Sequence, residues 1–195
     1  MRDILTAGLT GLGLDPAAAP ALERYAGALL EKNKVMNLTA ITQPDQVATL
    51  HLLDCAALLT MADLRGKRAI DVGTGAGFPG MVLRIMEPDF DLTLLDSLGK
   101  RVDFLREVCA SLALERVDCV HARAEEFAAD HRQQYDVAMS RAVANLNVLC
   151  ELALPLVKVG GQFLAMKSIS SDQEIRGARG AIGQLGGHIA DIRDY

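Results

Sequence analysis

The run DVGTGAGFPG at residues 71–80, with LLDS at 94–97, contains the residue types from which a site for a nucleotide-like cofactor is built. Residues 69–72 read as a short buried strand. Gly73, Gly75, Gly77 and Gly80 then form a loop that turns into a helix starting near Pro79. Glycine is needed where the backbone takes positive φ or comes close to a ligand. A helix N-terminus offers unpaired N–H groups and a positive dipole end to an anionic group placed there. Asp96 closes the next apolar strand (Phe90, Leu92, Leu94, Leu95), where doubly wound folds put the carboxylate that holds a ribose diol.

Two cofactor classes compete for this loop. Gly75-x-Gly77-x-x-Gly80 satisfies the dinucleotide fingerprint, with Asp96 about 20 residues further on. Asp71 tips the balance. A carboxylate at the strand end, just before the first glycine, repels a pyrophosphate and attracts a cofactor carrying an ammonium and a sulfonium. An acid followed by Gly73, Gly75 and Gly77 resembles the first motif of S-adenosylmethionine-dependent methyltransferases, which makes S-adenosyl-L-methionine the expected cofactor.

The elements that must position these residues follow from composition and pattern. With 195 residues, 50% of them hydrophobic, the chain can bury the core of one compact domain with a small appendage. A net charge of −5 argues against bulk attraction to nucleic acid and leaves room for a local basic face. Cys55, Cys109, Cys119 and Cys150 lie far apart in apolar stretches and are expected to be reduced, buried thiols of a cytoplasmic protein. The four histidines show no metal-ligand spacing, so no metal is expected. No apolar run is long enough to span a bilayer and no signal peptide is visible, so no membrane is expected either; a monomer is.

Residues 1–62 read as a helical appendage. Asp15 and Pro16 suit an N-cap and first turn, and Leu22, Tyr25, Ala26, Leu29 and Leu30 recur at helical spacing. KNKVMNLT at 32–39 ends that helix, and Thr42 and Pro44 begin another that runs to about Leu59. Residues 63–195 alternate between strand and helix. Strands are predicted near 68–72, 90–96, 117–122, 135–139, 162–167 and 187–193, and helices near 79–87, 99–113, 145–158 and 172–185, with 124–131 a weaker helix. This predicts an α/β, doubly wound, mostly parallel sheet with ligands at the carboxyl ends of its strands. Methyltransferases of this class usually add a seventh, antiparallel strand. The chain stops at Tyr195, so that last strand is expected to be missing.

Other residues could do chemistry around this mouth. Lys100 and Arg101 open the helix after Asp96, where cations oppose the dipole; they are either a phosphate contact or a solvated pair. At about 100° per residue, Val47, His51, Asp54 and Leu58 share one helical stripe, placing a histidine and a carboxylate in an apolar face. Burying them unpaired is costly, so they form either a structural pair joining the appendage to the sheet or a substrate contact. Asn33, Asn37 and Thr39 suit a hydrogen-bonded loop serving the same end. Ser140 and Arg141 follow the fourth strand, where enzymes that methylate exocyclic amines typically carry an acid or asparagine, prolines and an aromatic. Arg141 instead fits a substrate that brings negative charge and needs no general base. Lys167, after the fifth strand, adds a cation to the same rim or stands on the surface. Glu125 lies where this class commonly contacts adenine; Glu126 is expected to be a solvated acid at a helix start.

NKVMNLT at 33–39, HLLD at 51–54, DVGTGAGFPG, LLDSLGKR at 94–101, SRA at 140–142 and MK at 166–167 together resemble the bacterial small-subunit (16S) ribosomal RNA guanine-N7 methyltransferase family, also called the glucose-inhibited division protein B family, from about residue 20 onward. The resemblance implies methyl transfer to N7 of one guanine in small-subunit rRNA, as free RNA or in the 30S particle. It also implies cofactor contacts at Gly73, Phe78, Ala124, Glu125 and Arg141, with Asp96 at the ribose. HLLDC stands where the family more often has serine after the aspartate, and MKS where MKG is usual. Guanine N7 carries a free lone pair, so alignment can supply the catalysis and no acid or base is expected. Competing readings are a small-molecule methyltransferase, a non-catalytic cofactor-binding ribosome-assembly module and a dinucleotide oxidoreductase.

Overall fold

The computed structural model describes residues 1–141, 144–168 and 172–194. Five strands, β1 (Arg68–Val72), β2 (Asp91–Asp96), β3 (Val117–His121), β4 (Tyr135–Ser140) and β5 (Val157–Ala165), pair in parallel in the order β3-β2-β1-β4-β5. β1 and β2 are buried at every position after the first, as strands covered on both faces must be, which is why most of their residues are apolar. The chain winds outward from β1 to β3, then returns to lay β4 on the other side of β1. The order therefore reverses between β1 and β4, where Asp71 is in register with Met139. Open α/β sheets form their ligand crevice at such a switch point.

Helices α5 (Gly80–Met86), α6 (Gly99–Ser111), α7 (Ala124–Asp130), α8 (Leu146–Ala153) and α9 (Asp172–Gln184) connect or follow these strands. Two differences from the sequence pattern stand out. Pro155 lies in a 3-10 turn over Leu154–Leu156, so α8 ends at Ala153 rather than near 158, and β5 starts at Val157. The sixth strand expected over 187–193 does not form, and β5 is the last strand of the sheet. Within that segment Asp191 accepts from Ile192 N at 2.9 Å and from Arg193 Nε at 2.6 Å. Such local side-chain bonds compete with a ladder. Ala142 of the SRA motif and Tyr195 lie outside the described residues.

Residues ahead of the sheet form α1 (Arg2–Gly11), α2 (Ala19–Met36) and a helical run from residue 44 to 60 that comprises α3 (Pro44–Val47), a π-helix (Ala48–Leu53), α4 (Asp54–Ala56) and a 3-10 turn (Ala57–Thr60). Asp15 accepts from Ala17 N ahead of Pro16. Asn37 ends α2 in the left-handed conformation at φ 50°. Leu5, Leu9, Leu22, Leu29, Leu52 and Cys55 from these helices belong to the same buried cluster as Met81, Leu94, Leu105 and Met139 from around the sheet. Tyr25 of α2 is fully buried, and its hydroxyl donates to Ala76 O at 2.6 Å. One helix of the appendage thus holds the glycine loop directly.

Tyr25→Phe keeps the ring and leaves the Ala76 carbonyl unpaired in the core. It is expected to lower unfolding stability by about 1–3 kcal/mol, read from urea denaturation with an unchanged slope. A variant as stable as wild type would show that the bond does not hold the loop.

Candidate active site

Two carboxylates shape the loop that follows β1. Asp71, the fourth residue of β1, is fully buried; its Oδ2 accepts from Thr74 Oγ1 at 2.7 Å and from Gly80 N at 2.8 Å. Asp96, at the end of β2, accepts from Gly75 N through Oδ2 and from Leu98 N through Oδ1, both at 2.9 Å, with Arg101 Nη1 3.6 Å from Oδ2. The backbone between these anchors needs glycine: Gly73 has φ +69°, and a Cβ on Gly77 (φ +109°) would lie 2.7 Å from the Tyr25 hydroxyl. No atom lies within 4 Å of where a Cβ on Gly73 would project, so the loop leaves open space there.

Asp71 Oδ1 is buried with no hydrogen-bond partner. An orphan carboxylate oxygen in a protein interior is costly and is a place where a hydrogen donor or a cation is to be expected. Burial pushes the Asp71 carboxyl up to about 6, against the lowering effects of the Thr74 hydroxyl, the Gly80 amide and Arg141.

Arg141, just after β4, joins the appendage to this mouth. Its Nη1 donates to Leu50 O at 3.2 Å and to Asp54 Oδ2 at 3.3 Å, its Nη2 donates to His51 Nδ1 at 3.0 Å, and its guanidinium lies 4.5 Å from the centroid of the Phe78 ring. The His51 ring packs against the same Phe78 ring, 4.6 Å between centroids. His51 and Asp54 therefore meet through Arg141, across about 90 residues of sequence, and join the appendage to the loop after β4 as a set of three.

The remaining sequence-derived residues are placed as follows. Ala124 and Glu125 open α7 beyond the end of β3, and β3 pairs His121 with Asp96; the Glu125 side chain is exposed, 3.3 Å from Arg123 Nη2. Lys100 is exposed and has no ion-pair partner among the described residues. Lys100 and Arg101 border a groove of about 420 Å³, with Val35, Met36 and Asn37 of the appendage on its other side. Lys167 does not stand free on this rim. It lies 2.7 Å from Glu174 Oε1 and donates to Ala144 O at 2.8 Å, which ties the loop after β4 to α9. Ser140 is buried and donates to Val72 O at 2.8 Å, locking the two strands of the switch point together. Thr74 and Tyr25 also hold the loop; the pattern puts Thr74 in the glycine run and Tyr25 on an apolar helical stripe, but their hydrogen-bonding roles are recognised only from their partners in space.

The GidB family, described as rRNA small subunit methyltransferase G, matches residues 18–190. A protein of Clostridium botulinum (strain ATCC 19397 / Type A) named Ribosomal RNA small subunit methyltransferase G is 47% identical over 171 residues, covering 86% of this chain and 72% of the relative. The protein of that name from Alkaliphilus oremlandii (strain OhILAs) is 47% identical over 196 residues, covering 98% and 82%. Among solved structures, a precorrin-6y C5,15-methyltransferase from Geobacter metallireducens GS-15 aligns with a TM-score of 0.54 at 15% identity over 69% of each chain. TYW2 of M. jannaschii in complex with AdoMet aligns with a TM-score of 0.55 at 12% identity, covering 66% and 60%. These two likenesses carry the fold alone.

The raised affinity of Asp71 for a proton has a consequence for stability. The folded protein keeps that proton until about pH 6, whereas the unfolded chain releases it near 3.8, so stability falls as pH rises through this window and is level above it. Asp71→Asn keeps an acceptor for Thr74 and Gly80 and has no proton to lose. Between about pH 4 and about pH 7 its unfolding free energy is expected to gain on wild type by roughly 3 kcal/mol. A difference that stays constant with pH would contradict the burial of this carboxylate.

Proposed function

The chain belongs to the rRNA small subunit methyltransferase G family, and from that premise we propose that it methylates N7 of a guanine in small-subunit ribosomal RNA. The cofactor is S-adenosylmethionine. The observation that carries its placement is the buried, unpartnered Oδ1 of Asp71 beneath the glycine loop. A carboxylate there suits the cationic end of the cofactor and repels a pyrophosphate.

The residues along the strand ends support an extended pose. In sheet order the mouth carries Ala124 and Glu125 after β3, Asp96 at the end of β2, Gly73 and Gly75 after β1, and Arg141 after β4. We assign the adenine to Ala124 and Glu125, the ribose diol to Asp96, and the amino acid end to the loop of Gly73 and Gly75 over Asp71. Phe78 and Arg141 stand between cofactor and substrate. A carboxylate has about four lone-pair sites, so Asp96 can keep both loop amides and still accept from a hydroxyl. When bound, the cofactor supplies a methyl carbon activated by a sulfonium, which a free lone pair such as that of guanine N7 can attack without first losing a proton. The work left to the protein is alignment, worth several kcal/mol when the geometry is held.

Lys100 and Arg101 form the substrate rim in this reading, narrower than the four cations of the sequence pattern because Lys167 is bound to Glu174 and Arg141 is engaged by Leu50, His51 and Asp54. Lys100 is the cleaner probe, since Arg101 also lies beside Asp96. The N7 edge faces the deep major groove of RNA helices, so the target guanine must lie in a loop or irregular region.

Incubation with labelled S-adenosylmethionine is expected to place label as 7-methylguanosine in purified small ribosomal subunits or their RNA, and the comparison of the two identifies the substrate form. Label on small molecules alone, or none, would overturn the assignment. Lys100→Ala is expected to reduce the salt slope of RNA binding by about 1 while cofactor affinity in calorimetry stays as in wild type. An unchanged slope would remove Lys100 from the rim.

A further inference from the structure

A chain of hydrogen bonds runs from α2 to Arg141. Asn33 closes a ring on the Thr39 backbone: its Nδ2 donates to Thr39 O and its Oδ1 accepts from Thr39 N, both at 2.9 Å. That ring fixes the Thr39 hydroxyl, which accepts from Ile41 N at 3.0 Å and lies 2.8 Å from His51 Nε2. On the other side of the imidazole, Nδ1 faces two groups, Arg141 Nη2 at 3.0 Å and Leu50 O at 3.1 Å. A guanidinium has donors only, so its contact needs a bare Nδ1, whereas the Leu50 contact needs a protonated one. Leu50 O already accepts from Arg141 Nη1, and a proton on Nδ1 would be aimed at the guanidinium cation, so the site favours the form with its proton on Nε2, donated to Thr39. With Arg141 in place the balance of contacts favours this neutral tautomer. Burial, and then the charge of Arg141, hold the His51 pKa down at about 4 against the raising effect of the Leu50 carbonyl, which keeps the ring neutral.

The helix that presents His51 is shaped for the same task. Through the π-helical stretch Ala48–Leu53, the Asp54 N–H is donated to His51 O and Thr49 O rather than to Leu50 O, its partner in a regular α-helix. The Leu50 carbonyl accepts from Arg141 Nη1. One widened turn therefore supplies three acceptors, Leu50 O, His51 Nδ1 and Asp54 Oδ2, and Phe78 supports the face of the guanidinium. Those three bonds leave part of the set of about five N–H donors of an arginine for an acceptor on a bound molecule.

We propose that His51 is a positioning residue for methyl transfer: held by Thr39, its bare Nδ1 sets the Arg141 guanidinium against Phe78, so that the helical appendage and not the sheet alone aligns the reacting groups. The proposal rests on the methyltransferase reading above. A purely structural pair would stabilise the fold without affecting the chemical step. A positioning residue acts on turnover, because a small misplacement of an aligning group costs far more rate than stability.

The test compares wild type with His51→Ala, His51→Asn and Thr39→Val, and has two independent arms. In the cofactor-free protein, ¹⁵N NMR at neutral pH is expected to show His51 with bare Nδ1 and protonated Nε2, and slowed rotation of the Arg141 guanidinium that is lost in His51→Ala. A protonated Nδ1, or an Arg141 signal indifferent to His51→Ala, would overturn the proposal. In the second arm, with labelled S-adenosylmethionine and small subunits, His51→Ala is expected to lower kcat by about 10-fold or more, with the KM for subunits little changed. His51→Asn, which returns an acceptor near the Nδ1 position, is expected to recover most of the loss. Thr39→Val is expected to lower kcat less than His51→Ala does, and it serves with the NMR arm if His51→Ala does not fold. Unchanged kcat in a folded His51→Ala, or no recovery by His51→Asn, would contradict positioning. Absence of methyl transfer by wild type itself would count against the methyltransferase reading, while the NMR arm still decides the geometry.

Discussion

Asp71 is a fully buried carboxylate with hydrogen bonds to one of its oxygens and none to the other. Taking such a group out of water is unfavourable unless its surroundings replace the lost hydration. The fold replaces half of it. The Gly80 amide and the Thr74 hydroxyl close on Oδ2, which starts α5 directly over the end of β1, while Asp96 draws in Gly75 from the neighbouring strand and Tyr25 holds Ala76 from above. The loop is thus fastened from three elements at three points, and its glycines take the conformations those anchors impose. The second oxygen of Asp71 remains as a stability cost placed where a cationic molecule could relieve it, a pattern expected at sites shaped for binding more than for rest.

The helices ahead of the sheet share this constraint. Their apolar faces merge with the core of the sheet, so α2 delivers Tyr25 to the loop and the 44–60 run delivers Leu50, His51 and Asp54 to Arg141. The C-terminal end of α2, with Val35, Met36 and Asn37, lines the groove opposite Lys100 and Arg101. An overall charge of −5 leaves room for a local basic face, the part proposed for Lys100 and Arg101.

Much of this was legible in the chain. The positions of the four strands β1 to β4 are marked to within a residue or two by pattern alone. The acid before Gly73 and the acid at the end of β2 locate the crevice because both sit at strand ends in a parallel sheet. What was hidden depends on contacts distant in sequence or on local irregularity. HLLD reads as a uniform helical stripe, yet its turn is π-helical and its histidine and aspartate meet an arginine some 90 residues away. Lys167 reads as a rim cation until Glu174 is brought beside it by α9. Residues 187–193 read as a sixth strand, but Asp191 accepts from the neighbouring backbone locally and no ladder forms. In each case periodicity describes the segment and tertiary context decides it.

The central claim is that the unpartnered oxygen of Asp71 receives the cationic end of S-adenosylmethionine. Free Asp71 titrates at about 6, and a cation placed against it favours the ionised form. Cofactor binding near pH 6 should therefore expel protons, which calorimetry in buffers of different ionisation enthalpy measures directly. The account gives a release of about half a proton per site at that pH, fading to zero by about pH 8 and absent in Asp71→Asn. Tight binding without proton release at pH 6, or a release that persists in Asp71→Asn, would contradict it.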